Sequence, residues 1–61
     1  MNKEELKALS EQIIKYRAKH NLSTVKFAEL CKLTFPTVCN IQNCKQLPSK
    51  ITLQKILNII E

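Results

Sequence analysis

A chain of 61 residues with no glycine, two prolines, and ten lysines and arginines against five acidic residues excludes several classes of protein. It has room for one small core and none for a separate substrate domain. Tight sheet turns usually need glycine, so its absence points to helices on short connections, and a net charge of +5 suits a polyanionic partner such as nucleic acid or an anionic membrane face.

Asn2 followed by Glu5 forms a broad version of a capping box at the start of a first helix. Leu6, Leu9, Ile13, Tyr16 or Arg17, and His20 then recur at helical spacing, with lysines mostly between them, which predicts a helix from about residue 3 to residue 20. Asn21 is a stop, because asparagine tolerates the left-handed conformation. Ser23 caps a second helix of eight or nine residues, with Phe27, Ala28, Leu30 and Cys31 on its apolar face. Lys32-Leu33 makes a brief turn. Thr34 is the next N-cap, and Pro36 sits in the first turn of the third helix, where its missing N–H costs nothing. Val38, Ile41 and Cys44 are expected to face inward, and Asn43-Cys44-Lys45 closes the helix with an asparagine in the usual place of glycine. Gln46-Leu47-Pro48 is loop. Ser49 caps a last helix whose stripe is Leu53, Ile56, Leu57 and Ile60, widened by Ile51 and Ile59. The expected core is Leu9, Ile13, Leu22, Phe27, Ala28, Leu30, Leu33, Val38, Ile41, Leu53, Ile56 and Leu57.

No apolar run reaches the ~18 residues of a membrane span, and the charged segment Met1 to Leu9 does not read as a signal peptide. The expectation is a cytoplasmic protein with no membrane partner. Cys31, Cys39 and Cys44 are odd in number, and their spacing fits neither a disulfide framework nor a zinc site, so reduced thiols and no cofactor or metal are expected. With no nucleophile–base pair, phosphate loop or carboxylate dyad, the chain does not read as an enzyme.

Two short helices joined by a three- or four-residue turn make a helix-turn-helix, and Leu22 to Ile41 fits that plan. Leu22-Ser23, Phe27-Ala28, Leu33-Thr34, Thr37-Val38, Ile41-Gln42-Asn43, Lys45, Pro48-Ser49, and Thr52-Leu53 with Lys55-Ile56 resemble the phage repressor and Cro-type (Xre-like) helix-turn-helix family, without a gap from about Ile13 to Ile60. The resemblance implies an all-α, compact four-helix, lambda-repressor-like domain lacking the family's frequent fifth helix. It also implies a transcriptional regulator that binds double-stranded DNA through the third helix in the major groove. Carried over, Phe35, Pro36, Thr37 and Asn40 would face bases, while Arg17, Ser23, Thr24, Lys26, Asn43, Lys45 and Lys50 would face phosphates. Arg17 matches a first-helix arginine that in the family pairs with an acidic residue late in the third helix. Here that partner is Gln42, which would still accept a hydrogen bond. The family's glycines are replaced by Lys32 in the turn and Cys44 after the third helix. Ile59 and Ile60 would be exposed unless covered, which suggests a homodimer on a palindromic operator, through the last helix or the start of the first. The competing reading is a protein-binding module that keeps the fold without the activity, such as an antirepressor or inhibitor, because the third helix is uncharged and carries Phe35, Pro36, Val38 and Cys39.

Overall fold

In the computed structural model, which describes all 61 residues, the chain forms four helices and no strand: α1 (Lys3–His20), α2 (Thr24–Cys31), α3 (Phe35–Gln42) and α4 (Lys50–Ile60). Each boundary has a chemical cause. Asn2 Oδ1 accepts from the Glu5 N–H at 2.8 Å, and Glu5 Oε1 accepts from the Asn2 N–H at 3.1 Å, so the capping box that starts α1 is complete. Ser23 and Ser49 cap α2 and α4 through hydroxyls that accept from the Lys26 and Thr52 N–H groups. Thr34 holds the N-cap position of α3 without capping it, since its hydroxyl pairs instead with the Thr37 hydroxyl at 2.8 Å.

The helix ends show what a glycine-free chain must do. After α1, α2 and α3 the backbone reverses through a residue with φ between 54° and 59°, namely Asn21, Lys32 and Cys44. Each reversal is a Schellman motif. The N–H groups of Asn21, Lys32 and Cys44 donate to Ala18, Glu29 and Ile41, and those of Leu22, Leu33 and Lys45 donate to Arg17, Ala28 and Asn40. The residue closing the third reversal is therefore Cys44, and because it sits in that left-handed turn past the helix it is exposed, not inward-facing as expected. Asn43, with φ −89°, remains near the helical region. For Lys32 and Cys44 the left-handed conformation costs roughly 1 kcal/mol each, which asparagine partly avoids.

Helices of eight residues do not persist alone in water, so α2 and α3 exist because they are packed. α3 packs against α1 and α2, and α4 against α2 and α1. The core is Leu6, Leu9, Ile13, Phe27, Ala28, Cys31, Val38, Ile41 and Ile56, with Tyr16, Leu22, Leu33, Leu53, Leu57, Ile59 and Ile60 half-buried against it. Tyr16 meets Phe27 edge-on, with ring centroids 5.9 Å apart. The radius of gyration, 10.2 Å, matches the ~10.5 Å of a well-packed chain of this length.

Several expectations need correction. Leu30, expected in the core, is 46% exposed, because Cys31 takes the inward position on the last turn of α2. Ile51 is 71% exposed and does not widen the α4 stripe. Leu22, Leu33, Leu53 and Leu57 form a half-buried shell around the core rather than its centre. Ile59 and Ile60 are not bare: both pack on the core from the last turn of α4. Leu6 and Ser10 are buried beyond the expected set, and Ser10 satisfies its hydroxyl by donating to the Lys7 carbonyl at 2.8 Å.

Candidate nucleic-acid interface

The α2–turn–α3 unit is built around buried Val38 and Ile41. At about 100° per residue, these two fix the inward side of α3, so the opposite side carries Pro36, Cys39, Asn40 and Asn43, flanked by Phe35. Phe35 and Pro36 are exposed, whereas Thr37 and Asn40 are half-buried. Thr37 is turned toward Thr34 through their shared hydroxyl contact. Asn40 Nδ2 donates to Gln46 Oε1 at 3.3 Å. Asn43 is exposed, and its Nδ2 donates to Cys39 Sγ at 3.6 Å. Helix geometry thus adds Cys39 to the outward face. From sequence alone, Cys39 counts only as an apolar residue suited to a protein groove.

A second group joins three helices. Arg17, half-buried on the last turn of α1, donates from Nε to the Leu22 carbonyl at 3.1 Å and from Nη1 to Gln42 Oε1 at 2.8 Å. Gln42 Nε2 in turn donates to Thr24 Oγ1 at 3.4 Å. Gln42, on the last turn of α3, thereby ties the first turn of α2 to the arginine on α1. The only salt bridge in the molecule joins Lys26 to Glu29, so no carboxylate neutralises Arg17. Its guanidinium is oriented by neutral acceptors and keeps its full charge and its remaining N–H donors. It lies beside an α2 N-terminus that has no acidic residue in its first turn, and free N–H groups and the helix dipole add positive potential there.

The remaining cations divide by setting. Lys26 is exposed and pairs with Glu29 across one turn at 3.7 Å. Lys45 is exposed immediately after the Cys44 reversal. Lys50 is exposed at the start of α4, whose first turn also lacks acidic residues. Ser23 is exposed and its oxygen caps α2, leaving its O–H free to donate. Residues 12–60 hold eight lysines and arginines against the single acid Glu29, a net of +7, whereas residues 1–11 hold two lysines against three glutamates, a net of −1. That asymmetry is visible in the sequence and was missed by counting charge over the whole chain. The excess lies on the second half of α1, the turns after α2 and α3, and α4, since α2 pairs Lys26 with Glu29 and α3 carries no charge.

The thiols differ in setting. Cys31 is buried, and desolvation pushes its pKa up to about 11. Cys44 is exposed, with Sγ 3.6 Å from Ser10 Oγ. No three His, Cys, Asp or Glu side chains come together as a metal site, and no helix is long and apolar enough to cross a membrane. Compared with known family models, curated proteins and solved structures, the chain has no match.

Proposed function

We propose that the protein is a DNA-binding transcriptional regulator of the repressor and Cro type, reading a palindromic operator with α3 and holding the phosphate backbone with residues around it. The observation that carries this reading is the Arg17–Gln42–Thr24 chain. It fixes an uncompensated guanidinium against an α2 N-terminus free of acidic side chains, and that combination favours a phosphate. Phe35, Pro36, Thr37 and Asn40 would then meet base edges. Asn40 suits adenine, and the apolar pair suits thymine methyls. Ser23, Thr24, Lys26, Asn43, Lys45 and Lys50 would join Arg17 on phosphates. A homodimer belongs to this reading, because an operator with two-fold symmetry calls for two copies. A shallow groove of about 270 Å³ between the start of α1 and α4, lined in part by Met1, Ala8, Leu9, Leu53 and Leu57, offers an apolar surface for it. In this reading the protein acts in the cytoplasm and is not an enzyme.

A second reading, an interaction module with little DNA binding, draws support from Phe35, which is 47% exposed on a helix without a single charge, and from exposed Leu30. A salt series on selected and scrambled duplexes separates the two. Under the regulator reading, Asn40→Ala weakens the selected duplex by about 1–3 kcal/mol and relaxes preference at one position. Lys45→Ala weakens all duplexes alike and lowers the salt slope by about one unit. If neither variant changes DNA affinity while Phe35→Ala abolishes capture of a protein partner, the regulator reading is wrong. Sedimentation at tens of micromolar, without DNA, that finds only monomer removes the dimer from the proposal.

A further inference from the structure

Asn40 is the one hydrogen-bonding side chain on the outward face of α3 that a second side chain engages from outside the helix. Its Nδ2 donates to Gln46 Oε1 at 3.3 Å, and its backbone carbonyl accepts from the Lys45 N–H at 2.8 Å. Both contacts depend on the reversal at Cys44. With φ 59° there, the chain folds back along α3 instead of running on, which lays Lys45 and Gln46 over the Asn40 turn. The reversal is itself held to α1 by the Cys44 Sγ contact with buried Ser10. Asn40 is consequently half-buried although it points away from the core.

We infer that Gln46 is a positioning residue for base recognition, its amide oxygen holding the Asn40 carboxamide in one orientation so that the pair reads a single adenine. The inference rests on the DNA-binding reading proposed above and deepens it. A free carboxamide on a helix surface turns about its terminal torsion and presents oxygen or nitrogen to either side. Adenine is read bidentately only when Oδ1 accepts from N6 and Nδ2 donates to N7. An acceptor on one Nδ2 hydrogen favours the orientation that places nitrogen on the Gln46 side, and leaves Oδ1 and one N–H for the base. Ordering the side chain before binding also removes part of the entropy lost on contact.

The test has two arms on the full chain. In the free protein, the Asn40 side-chain amide signals in a nitrogen–proton correlation spectrum are expected to shift in Gln46→Ala and not in Lys45→Ala. Unchanged Asn40 signals in Gln46→Ala overturn the inference whatever the DNA result. In the second arm, binding-site selection on random duplexes is followed by replacement of the preferred adenine with 7-deazaadenine, which lacks the N7 acceptor. Wild type is expected to lose about tenfold in affinity on that replacement, and both Asn40→Ala and Gln46→Ala to lose little. Gln46→Ala is expected to flatten preference at the same position as Asn40→Ala, with the double variant no worse than either single one. Uniform weakening of all duplexes by Gln46→Ala makes it a phosphate contact and overturns the positioning role. If the Asn40 signals shift but no duplex is selected, the regulator reading fails and base reading with it, leaving the amide pair as a clamp on the loop.

Discussion

The turn after α2 and the turn after α3 use the same backbone device under different restraint. Lys32 and Cys44 both take φ 59°, and both turns close with the same pair of hydrogen bonds. After α2, the next residue is Leu33, which packs on the core, and Lys55 reaches from α4 to donate to the Lys32 carbonyl at 3.5 Å. After α3, the corresponding residue is Lys45, which is exposed, as are Gln46 and Leu47 after it. A Schellman turn is commonly fastened by an apolar residue at the position Leu33 occupies. Where that residue is charged, the turn keeps its shape but offers its side chains outward. The first turn therefore fixes α3 against α2, and the second displays Lys45 and Gln46 beside α3.

If this contrast is right, truncation has unequal effects in the two turns. Leu33→Ala is expected to cost about 2 kcal/mol, the low end for buried leucines because the side chain is half-buried, and to lower Tm by about 10 °C. Leu47→Ala, at a side chain 53% exposed, is expected to stay within about 0.5 kcal/mol. Equal losses in thermal denaturation would remove the contrast.

The thiols on the two sides of the comparison sharpen it. Cys31, just before the first turn, ionises less readily folded than unfolded, since burial lifts its pKa from 9.0 to about 11. Its contribution to stability is full below pH 9 and is lost as pH rises through about 11, an effect of order 1 kcal/mol that Cys31→Ala abolishes. Denaturant titrations from pH 8 to 11 on both proteins measure it. A thiol reagent at neutral pH is expected to modify Cys44, in the second turn, well before Cys31.

The smallest effect concerns the left-handed residues. Lys32→Gly relieves the strain with little other loss and is expected to raise stability by about 1 kcal/mol. Cys44→Gly gains less, because the contact with Ser10 goes with the side chain. Chemical denaturation of the two variants ranks them, and a larger gain for Cys44→Gly would show that the thiol contact does not hold the turn.

Most of the fold was legible because its signals are local. Asn2 with Glu5, Ser23, Ser49 and the left-handed Asn21 each act within four residues, and each lies where the helix boundary was placed. Errors arose where tertiary geometry decides between adjacent residues. Leu30 and Cys31 both fit an apolar stripe, and only the direction from which α2 is covered gives Cys31 the inward place. Ile51 failed for a related reason, lying on the first turn of α4, where it is left exposed. At the candidate site, the pairing of Arg17 with Gln42 followed from position in the aligned pattern. The links from Gln42 to Thr24 and from Asn40 to Gln46 depend on how the turns fold back, which residue spacing does not encode.

The neutral strut under Arg17 also bears on acid tolerance. An arginine held by a carboxylate loses its partner when protons discharge the acid, and a tie between helices loosens with it. Gln42 is a neutral amide with no acid to discharge in that range. The link joining the ends of α1 and α3 to the start of α2 therefore persists into mild acid. The side chain that the proposed function turns toward phosphate is thus aimed by a contact that does not depend on any carboxylate.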